Sequence, residues 1–418
     1  MNIYFSGIGG VGIGPLAEIA LDAGHTVRGS DVSQSIMTDQ LEKRGIEISL
    51  SQDGIYLEAE HSSSPIDRVV YTAALPDDHP ELLLAQELGI RTCKRDELLA
   101  EIITEKNLKL IAISGTHGKT TTTGMMVWAL EQLGIPISYS IGTSISFGPS
   151  GKFDPASEYF VYECDEFDRN MLHFSPYLSV LTALAYDHID TYTTEAEYTE
   201  AFRKFIAQSD QAILWKNDSD YIQNSAENCW VLQPDEKVEL ALAGDHNRRN
   251  ATLILKALEY LDFDGMHDYQ KILEEFPGTF RRFEKLDPNL YSDYGHHPNE
   301  IAATLQMATE VSENVVLVYQ PHQNVRQHEV KGLYTADVFE NATKVYWLPT
   351  YQSREQTGLE ILSPEQLSTN IADKVTLAAL DDTLWRSIQG ELSAGNLVLC
   401  MGAGSIDRWL RDVLQPEA

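Results

Sequence analysis

The run Lys109-Leu110-Ile111-Ala112-Ile113-Ser114-Gly115-Thr116-His117-Gly118-Lys119-Thr120-Thr121 passes from an apolar stretch into a glycine-bracketed turn carrying a lysine and several threonines. Beyond it, Met125, Met126, Ala129, Leu130 and Leu133 recur at helical spacing until Gly134. The pattern predicts a strand over 110–114, a tight loop, and a helix. A glycine-rich turn at a helix N-terminus aims backbone amides at an anion, and the helix dipole adds to the attraction. Lys119 supplies a mobile point charge for the β and γ phosphates, and the Thr120 hydroxyl can reach Mg²⁺. The full phosphate-loop pattern wants a glycine where Ile113 stands, so this is a shortened variant. Gly115 to Thr121 are the expected phosphate-binding residues.

Outward from that loop, a strand over 159–163 ends in Glu163-Cys164-Asp165-Glu166, with Asp168 close behind. A further strand, read over 178–184, leads to Asp187-His188-Ile189-Asp190. In a parallel sheet, sites assemble at the carboxyl ends of strands, where all these residues fall. Glu163 or Asp165 is the expected partner of Thr120 on a cation. His188 is an unusual Mg²⁺ ligand, so a second site there would accept Mn²⁺ as well. A solvated acidic turn beside an ordinary packed histidine would produce the same string.

The N-terminus repeats the theme. A strand over 2–6 precedes Gly7-Ile8-Gly9-Gly10-Val11-Gly12, and a helix read over 15–23 follows, with Asp31 lying 19 residues past Gly12. This is the strand–G-x-G-x-x-G–helix pattern of a dinucleotide site, but its physics requires only a diphosphate at a helix N-terminus. Gly9, Gly10, Gly12 and Asp31 are the candidate contacts. An NAD-dependent oxidoreductase would account for them and leave Lys119, Glu163 and His188 without a role. A third block begins near Lys285, with strands read over 289–292, 314–319, 344–348 and 397–401 alternating with helical patterns. The whole is an α/β chain, divided into 1–107, 108–284 and 285–418.

With 418 residues, 43% of them hydrophobic and 22% charged, the chain has the balance of a globular protein of more than one core. It carries 31 Lys and Arg against 63 Asp and Glu, a formal charge of −32. That field repels nucleic acid and anionic lipid, and a phosphate-bearing substrate needs a local cationic or amide site to overcome it. Cys93, Cys164, Cys229 and Cys400 form no C-x-x-C pair, which argues against a zinc site and a disulfide framework and fits a reducing compartment. No basic leader or long apolar stretch is present, so a cytoplasmic, soluble protein is expected.

Taken together, GIGGVGIGPLAEI, GTHGKTTTT, YECDEFD, YDHIDTY, DHNRRN, FPGTFRRF, DYGHHPNE and QPHQNVR, in that order, resemble the Mur ligases along almost the whole chain. The resemblance implies a Rossmann-like domain for a UDP-linked substrate, a central phosphate-loop ATPase domain with a parallel sheet, and a C-terminal Rossmann-like domain for an amino acid. It implies ATP and Mg²⁺ as cofactors, and a carboxylate activated as an acyl phosphate and captured by an amine in peptidoglycan synthesis. The N-terminal GIGG block, DYGHHP and QPH point to the member that joins L-alanine to UDP-N-acetylmuramate, acting as a monomer or homodimer. Siblings that add another amino acid or a recycled peptide are the near alternatives, and a nucleotide-binding module without catalysis is the distant one.

Carried over by motif, Thr120 and Glu163 would hold one cation and His188 a second. Asn250 would face the adenine and Arg282 the transferred phosphate. Tyr294, His296, His322 and Arg326 would form the amino-acid pocket, Arg326 pairing bidentately with the carboxylate. Lys119, His188, His322 and Arg326 are the expected catalytic groups. Three positions depart from the family pattern. Gln323 replaces an arginine, Phe167 a serine, and Ile141-Gly142-Thr143-Ser144 a Gly-Gly turn. The stretch Arg203-Lys204 does not place a lysine where some relatives carry a carbamoylated one.

Overall fold

The computed structural model describes residues 1–414 except 11, 73, 74, 77, 189, 190, 264–266, 354, 356 and 357, with Ile36 described through its backbone. Val11, Ile189 and Asp190, which belong to motifs read above, lie outside the described residues. The chain divides into two compact units, Met1–Lys237 with Asn250–Pro277, and Val238–Arg249 with Gly278–Ala418. The division falls inside the helix Asp245–Leu261.

The first unit contains two sheets. The N-terminal one has five parallel strands, in the order Glu47–Ser49, Thr26–Ser30, Asn2–Ser6, Arg68–Tyr71 and Arg91–Lys94. Asn2–Ser6 is central and buried from Ile3 to Ser6, as an apolar run covered on both faces should be. The second sheet has seven strands, ordered Cys229–Leu232, Gln211–Trp215, Leu178–Leu181, Lys109–Ser114, Tyr159–Glu163, Ile137–Ser140 and Gly151–Lys152. All its neighbours pair in parallel except the last, a short antiparallel edge. Ile113 pairs with Glu163 and Ser114 with Leu181, so the three central strands end level with one another at the phosphate-loop turn.

The helix Lys119–Gln132 buries Met125, Met126, Ala129 and Leu130, as its spacing predicts. It also buries Thr122, Thr123 and Val127, so it is enclosed around most of its circumference. In the helix Glu195–Gln208, Tyr198, Ala201, Phe202, Phe205 and Ile206 all face inward. Phe202, Phe205 and Ile206, fully buried, each contribute roughly 1.5–3 kcal/mol, which exceeds the few tenths per residue that propensity supplies.

The second unit carries one six-stranded sheet, ordered Glu284–Asp287, Leu290–Asp293, Leu397–Met401, Val315–Tyr319, Lys344–Trp347 and Val375–Leu377. Two differences from the sequence reading have local causes. The strand read from Asn289 begins at Leu290, because Asn289 (φ +60°) turns an antiparallel hairpin from Glu284–Asp287. The strand read over 178–184 ends at Leu181, because the chain there leaves the sheet to bond the phosphate-loop turn. No helix among the described residues is long and apolar enough to cross a membrane, and all four cysteines are free thiols.

Candidate active site

Gly115 (φ +135°) and Gly118 (φ +90°) both occupy the left-handed region that disfavours side chains. A Cβ on Gly115 would collide with Thr182, and one on Gly118 would lie 2.8 Å from Asn250 Nδ2. Asn250 is thus packed directly on the turn, 7% exposed, beside the position the resemblance gives to the nucleotide. The Thr116 and His117 amides do not point outward. They donate to Ala183 O at 2.9 and 3.3 Å, while Thr116 Oγ1 donates to Ala185 O at 2.8 Å. The backbone ladder of the helix Lys119–Gln132 begins with Thr122 N on Gly118 O, so that ladder leaves the first-turn amides unused.

At the carboxyl end of the same sheet, Thr120 Oγ1 donates to Glu163 Oε1 at 2.7 Å, and Gly142 N donates to Glu163 Oε2 at 2.8 Å. The paired hydroxyl and carboxylate are hard oxygen donors of the kind Mg²⁺ takes. Gly142, from the stretch that departs from the family's Gly-Gly turn, abuts this carboxylate so closely that a Cβ would lie 2.9 Å from Glu163 Oε1.

Lys119 Nζ donates to Gly115 O and to Glu166 Oε2, each at 2.6 Å, and lies 4.0 Å from Asp165 Oδ1. Glu166 has no exposed surface. Its other oxygen, Oε1, stands 3.4 Å from His188 Nε2, an ion-pair distance without hydrogen-bond alignment. Burial would push the Glu166 carboxyl up, but the Lys119 and His188 charges outweigh it and hold it down at about 2. Burial likewise works against charge on His188, and Glu166 reverses the balance, raising the imidazole above its usual value. For Asp165, burial prevails over Lys119 and raises the carboxyl. Ligand atoms of Asp165, Glu166 and His188 lie within 4.8 Å of one another. Together with the uncommitted Glu166 Oε1, this oxygen–imidazole set fits a divalent ion of the Mg²⁺ or Mn²⁺ type. His188 itself adopts φ +57°, and Phe167 stands edge-on to its ring at 5.4 Å.

At the N-terminal turn, Asp31 accepts from Gly9 N at 2.8 Å and from Val32 N at 2.8 Å. Its carboxylate shapes the loop itself. A Cβ on Gly9 would crowd the Asp31, Thr38 and Ser35 side chains, and one on Gly10 would stand 3.3 Å from Gly7 O, so the turn is tight at both positions. Gly12 lies against the guanidinium of Arg95.

In the second unit, Tyr294, His296, His322 and Tyr351 form a chain of rings. Tyr294 meets His296 edge-on at 5.8 Å, His296 meets His322 at 5.6 Å, and His322 stacks on Tyr351 at 5.7 Å and 7°. Arg281 and Arg282 place their guanidinium carbons 4.6 and 5.3 Å from the Tyr294 ring centre. Burial lowers the His296 imidazole. It pushes His322 down to about 4, with His296 and Arg326 adding to the effect. His297 has a plainer task, accepting from Asn299 N at 3.2 Å as a helix cap. Glu355 accepts from Asn324 N at 2.9 Å and Val325 N at 3.2 Å, holding the start of the helix that carries Arg326. Gln323, at φ +58°, immediately precedes that helix.

Sequence reasoning missed Glu166, Arg95, Arg281, Tyr351 and Glu355. For Glu166 a signal existed in the acidic string after the strand, but strand alternation puts Glu163 and Asp165 on one face and Glu166 on the other. The chain leaves the strand before Glu166 and enters the tight turn Phe167–His173, and alternation no longer applies.

Residues 2–107 match the family described as "Mur ligase family, catalytic domain", and residues 113–233 match "Mur ligase middle domain". A UDP-N-acetylmuramate–L-alanine ligase of Acetivibrio thermocellus is 32% identical, over 97% of this chain and 94% of that protein. The crystal structure of UDP-N-acetylmuramate-alanine ligase from Thermotoga maritima superposes with a TM-score of 0.77 at 24% identity, covering 99% of this chain and 98% of that one. A murein peptide ligase from Psychrobacter arcticus superposes with a TM-score of 0.66 at 23% identity, covering 99% and 98%. At these identities the two superpositions establish the shared fold.

Proposed function

The chain belongs to the Mur ligase family, and we propose that it is the ATP-dependent ligase that joins L-alanine to the carboxylate of UDP-N-acetylmuramate in peptidoglycan precursor synthesis. The observation that supports this most directly is the meeting of Lys119, Thr120, Glu163, Glu166 and His188 at the carboxyl ends of adjacent parallel strands. Similarity, at 32% identity, to a ligase of that name over 97% of this chain and 94% of that protein supports the choice of substrates.

On this reading, 1–107 binds the UDP moiety, 108–284 binds ATP and 285–418 binds the amino acid. The carboxylate of UDP-N-acetylmuramate attacks the γ-phosphorus, and the bond to the bridging oxygen breaks to release ADP. The amine of alanine then attacks the acyl carbon, inorganic phosphate leaves, and nitrogen gives up a proton. Lys119 opposes the charge that develops on the phosphate oxygens. Thr120 with Glu163, and His188 with Glu166 beside it, would hold divalent ions, which would supply further neutralisation of phosphate charge. Asn250, packed on Gly118, borders the nucleotide. Gly9, Gly10, Gly12 and Asp31 shape the turn that receives the UDP-linked substrate. Tyr294, His296, His322 and Arg326 bind the amino acid, and Arg282 faces the transferred phosphate. His322, depressed to about 4 by burial, is neutral at pH 7. The reducing cytoplasm suits its four free thiols.

The test is phosphate release from ATP by the purified protein. Release should require UDP-N-acetylmuramate and L-alanine together, and a panel of glycine, L-serine and the tripeptide should rank below L-alanine. Turnover with NAD in the absence of ATP, or preference for the tripeptide, would overturn the assignment.

A further inference from the structure

A protein of net charge −32 that binds a nucleotide-sugar must offset its own field where the diphosphate sits. The glycine-rich turn does this only in part. Its Gly9 amide is already held by Asp31, and the helix that follows, Gly14–Asp22, has no side-chain cap on its first turn. The missing cation is beside it. Arg95 is the first residue of the helix Arg95–Glu105 and directly follows the strand Arg91–Lys94, at the carboxyl end of the same sheet as the turn. Its guanidinium lies so close to Gly12 that a side chain there would have to displace Nη1.

Arg95 is also incompletely satisfied. Its side chain is only 30% exposed, and its one hydrogen bond runs from Nε to Asp96 Oδ2 at 3.3 Å. Among the described residues neither terminal nitrogen makes a hydrogen bond, although Asp96 and Asp165 both favour the guanidinium's charge. Asp96 is 3% exposed and also accepts from the Tyr162 hydroxyl, so the stem of Arg95 is held while its fork is left open. A partly desolvated guanidinium with two free parallel donors matches a planar or tetrahedral oxyanion that accepts in bidentate fashion.

We propose that Arg95 is a binding residue for the diphosphate of the nucleotide-sugar, its fork completing the anion cradle that the turn Gly7–Gly14 begins. This rests on the ligase reading above. It also accounts for Gly12, where a Cβ would push the fork aside, since Nη1 is the far end of a flexible chain.

The experiment compares UDP and uridine as ligands of the full chain by calorimetric titration, together with steady-state KM values. Wild type should bind UDP much more tightly than uridine. Arg95→Ala should lose on the order of 10- to 100-fold of that advantage, the range for hydrogen bonds to a charged group. Uridine affinity should stay within about twofold, which also reports an intact fold. KM for UDP-N-acetylmuramate should rise in parallel while KM for ATP stays put, and Arg95→Lys should recover part of the loss. Gly12→Ala should reproduce the effect with Arg95 still present. Unchanged UDP binding in Arg95→Ala, or equal loss of UDP and uridine in both variants, overturns the proposal while leaving the ligase reading intact. A wild-type protein that ignores UDP and UDP-N-acetylmuramate overturns the ligase reading itself.

Discussion

Lys119 donates from Nζ to Glu166 Oε2 at 2.6 Å, and Glu166 is completely buried. The lysine that follows the glycine-bracketed turn is therefore held by a carboxylate from a turn 47 residues away. Removing one partner of a buried pair leaves an uncompensated charge, at a cost of about 3–5 kcal/mol. Lys119→Ala should abolish phosphate release and also lower stability by about that amount in denaturant unfolding. Lys119→Ala with Glu166→Gln should regain most of the stability and none of the turnover. A single variant as stable as wild type would show that the pair is not formed in solution.

Gly118 at φ +90° faces Asn250 Nδ2 across 2.8 Å from where a Cβ would lie. Gly118→Ala meets both the left-handed backbone penalty of roughly 1–2 kcal/mol and that contact. It should weaken nucleotide binding at least tenfold, read by displacement of a fluorescent ATP analogue. Gly118→Ala with Asn250→Ala should recover part of the loss, because the steric half of the penalty is gone. Additive losses in the double variant would mean the two residues do not touch.

Arg326 rides on the helix Asn324–Val330, whose first amides Glu355 holds. A bidentate arginine–carboxylate bond of about 1.5–3 kcal/mol predicts that Arg326→Ala raises KM for L-alanine on the order of 10- to 100-fold, with KM for ATP nearly unchanged. Glu355→Gln should raise the same KM by a smaller factor through looser placement of the helix. Equal changes in both KM values would put Arg326 outside the amino-acid pocket.

His246 and His322 are both pushed down to about 4, in each case chiefly by burial. Between pH 6.5 and 4 the unfolded chain takes up protons that these folded imidazoles refuse, so stability falls as pH drops through that window. His188 works in the opposite sense, since its raised value favours the protonated folded state and its contribution fades as pH rises. Glu166, held at about 2, adds stability above pH 4.5 that is lost towards pH 2. In thermal melts, His246→Gln should flatten the fall in Tm between pH 6.5 and 4 relative to wild type. Parallel curves for the two proteins would show that this imidazole is not buried in its neutral form.

Three strands, Asn2–Ser6, Tyr159–Glu163 and Leu397–Met401, run as their apolar stretches and flanking turn residues predict, because burial on both faces of a parallel sheet leaves a continuous apolar signature. The antiparallel hairpin at Asn289 was not legible, since its first strand, Glu284–Asp287, alternates partly buried with exposed residues and has no apolar run to announce it. Thr120 beside Glu163 was legible as a possibility, because each sits at the end of its own strand or turn. Glu166 was not, because its burial depends on a short turn that breaks strand alternation.

What the residue order determined by itself is local. A strand, a glycine turn and a lysine-bearing helix follow one another, and short-range hydrogen bonding and apolar period are written in adjacent residues. What only the folded chain decided is which distant groups meet those elements. Glu166 holds Lys119, Asn250 rests on Gly118, and Arg95 leans on Gly12, and none of these pairs is signalled by spacing. Each depends on the order in which strands join their sheet, and that order is settled by burying whole faces at once, not by any one stretch of sequence.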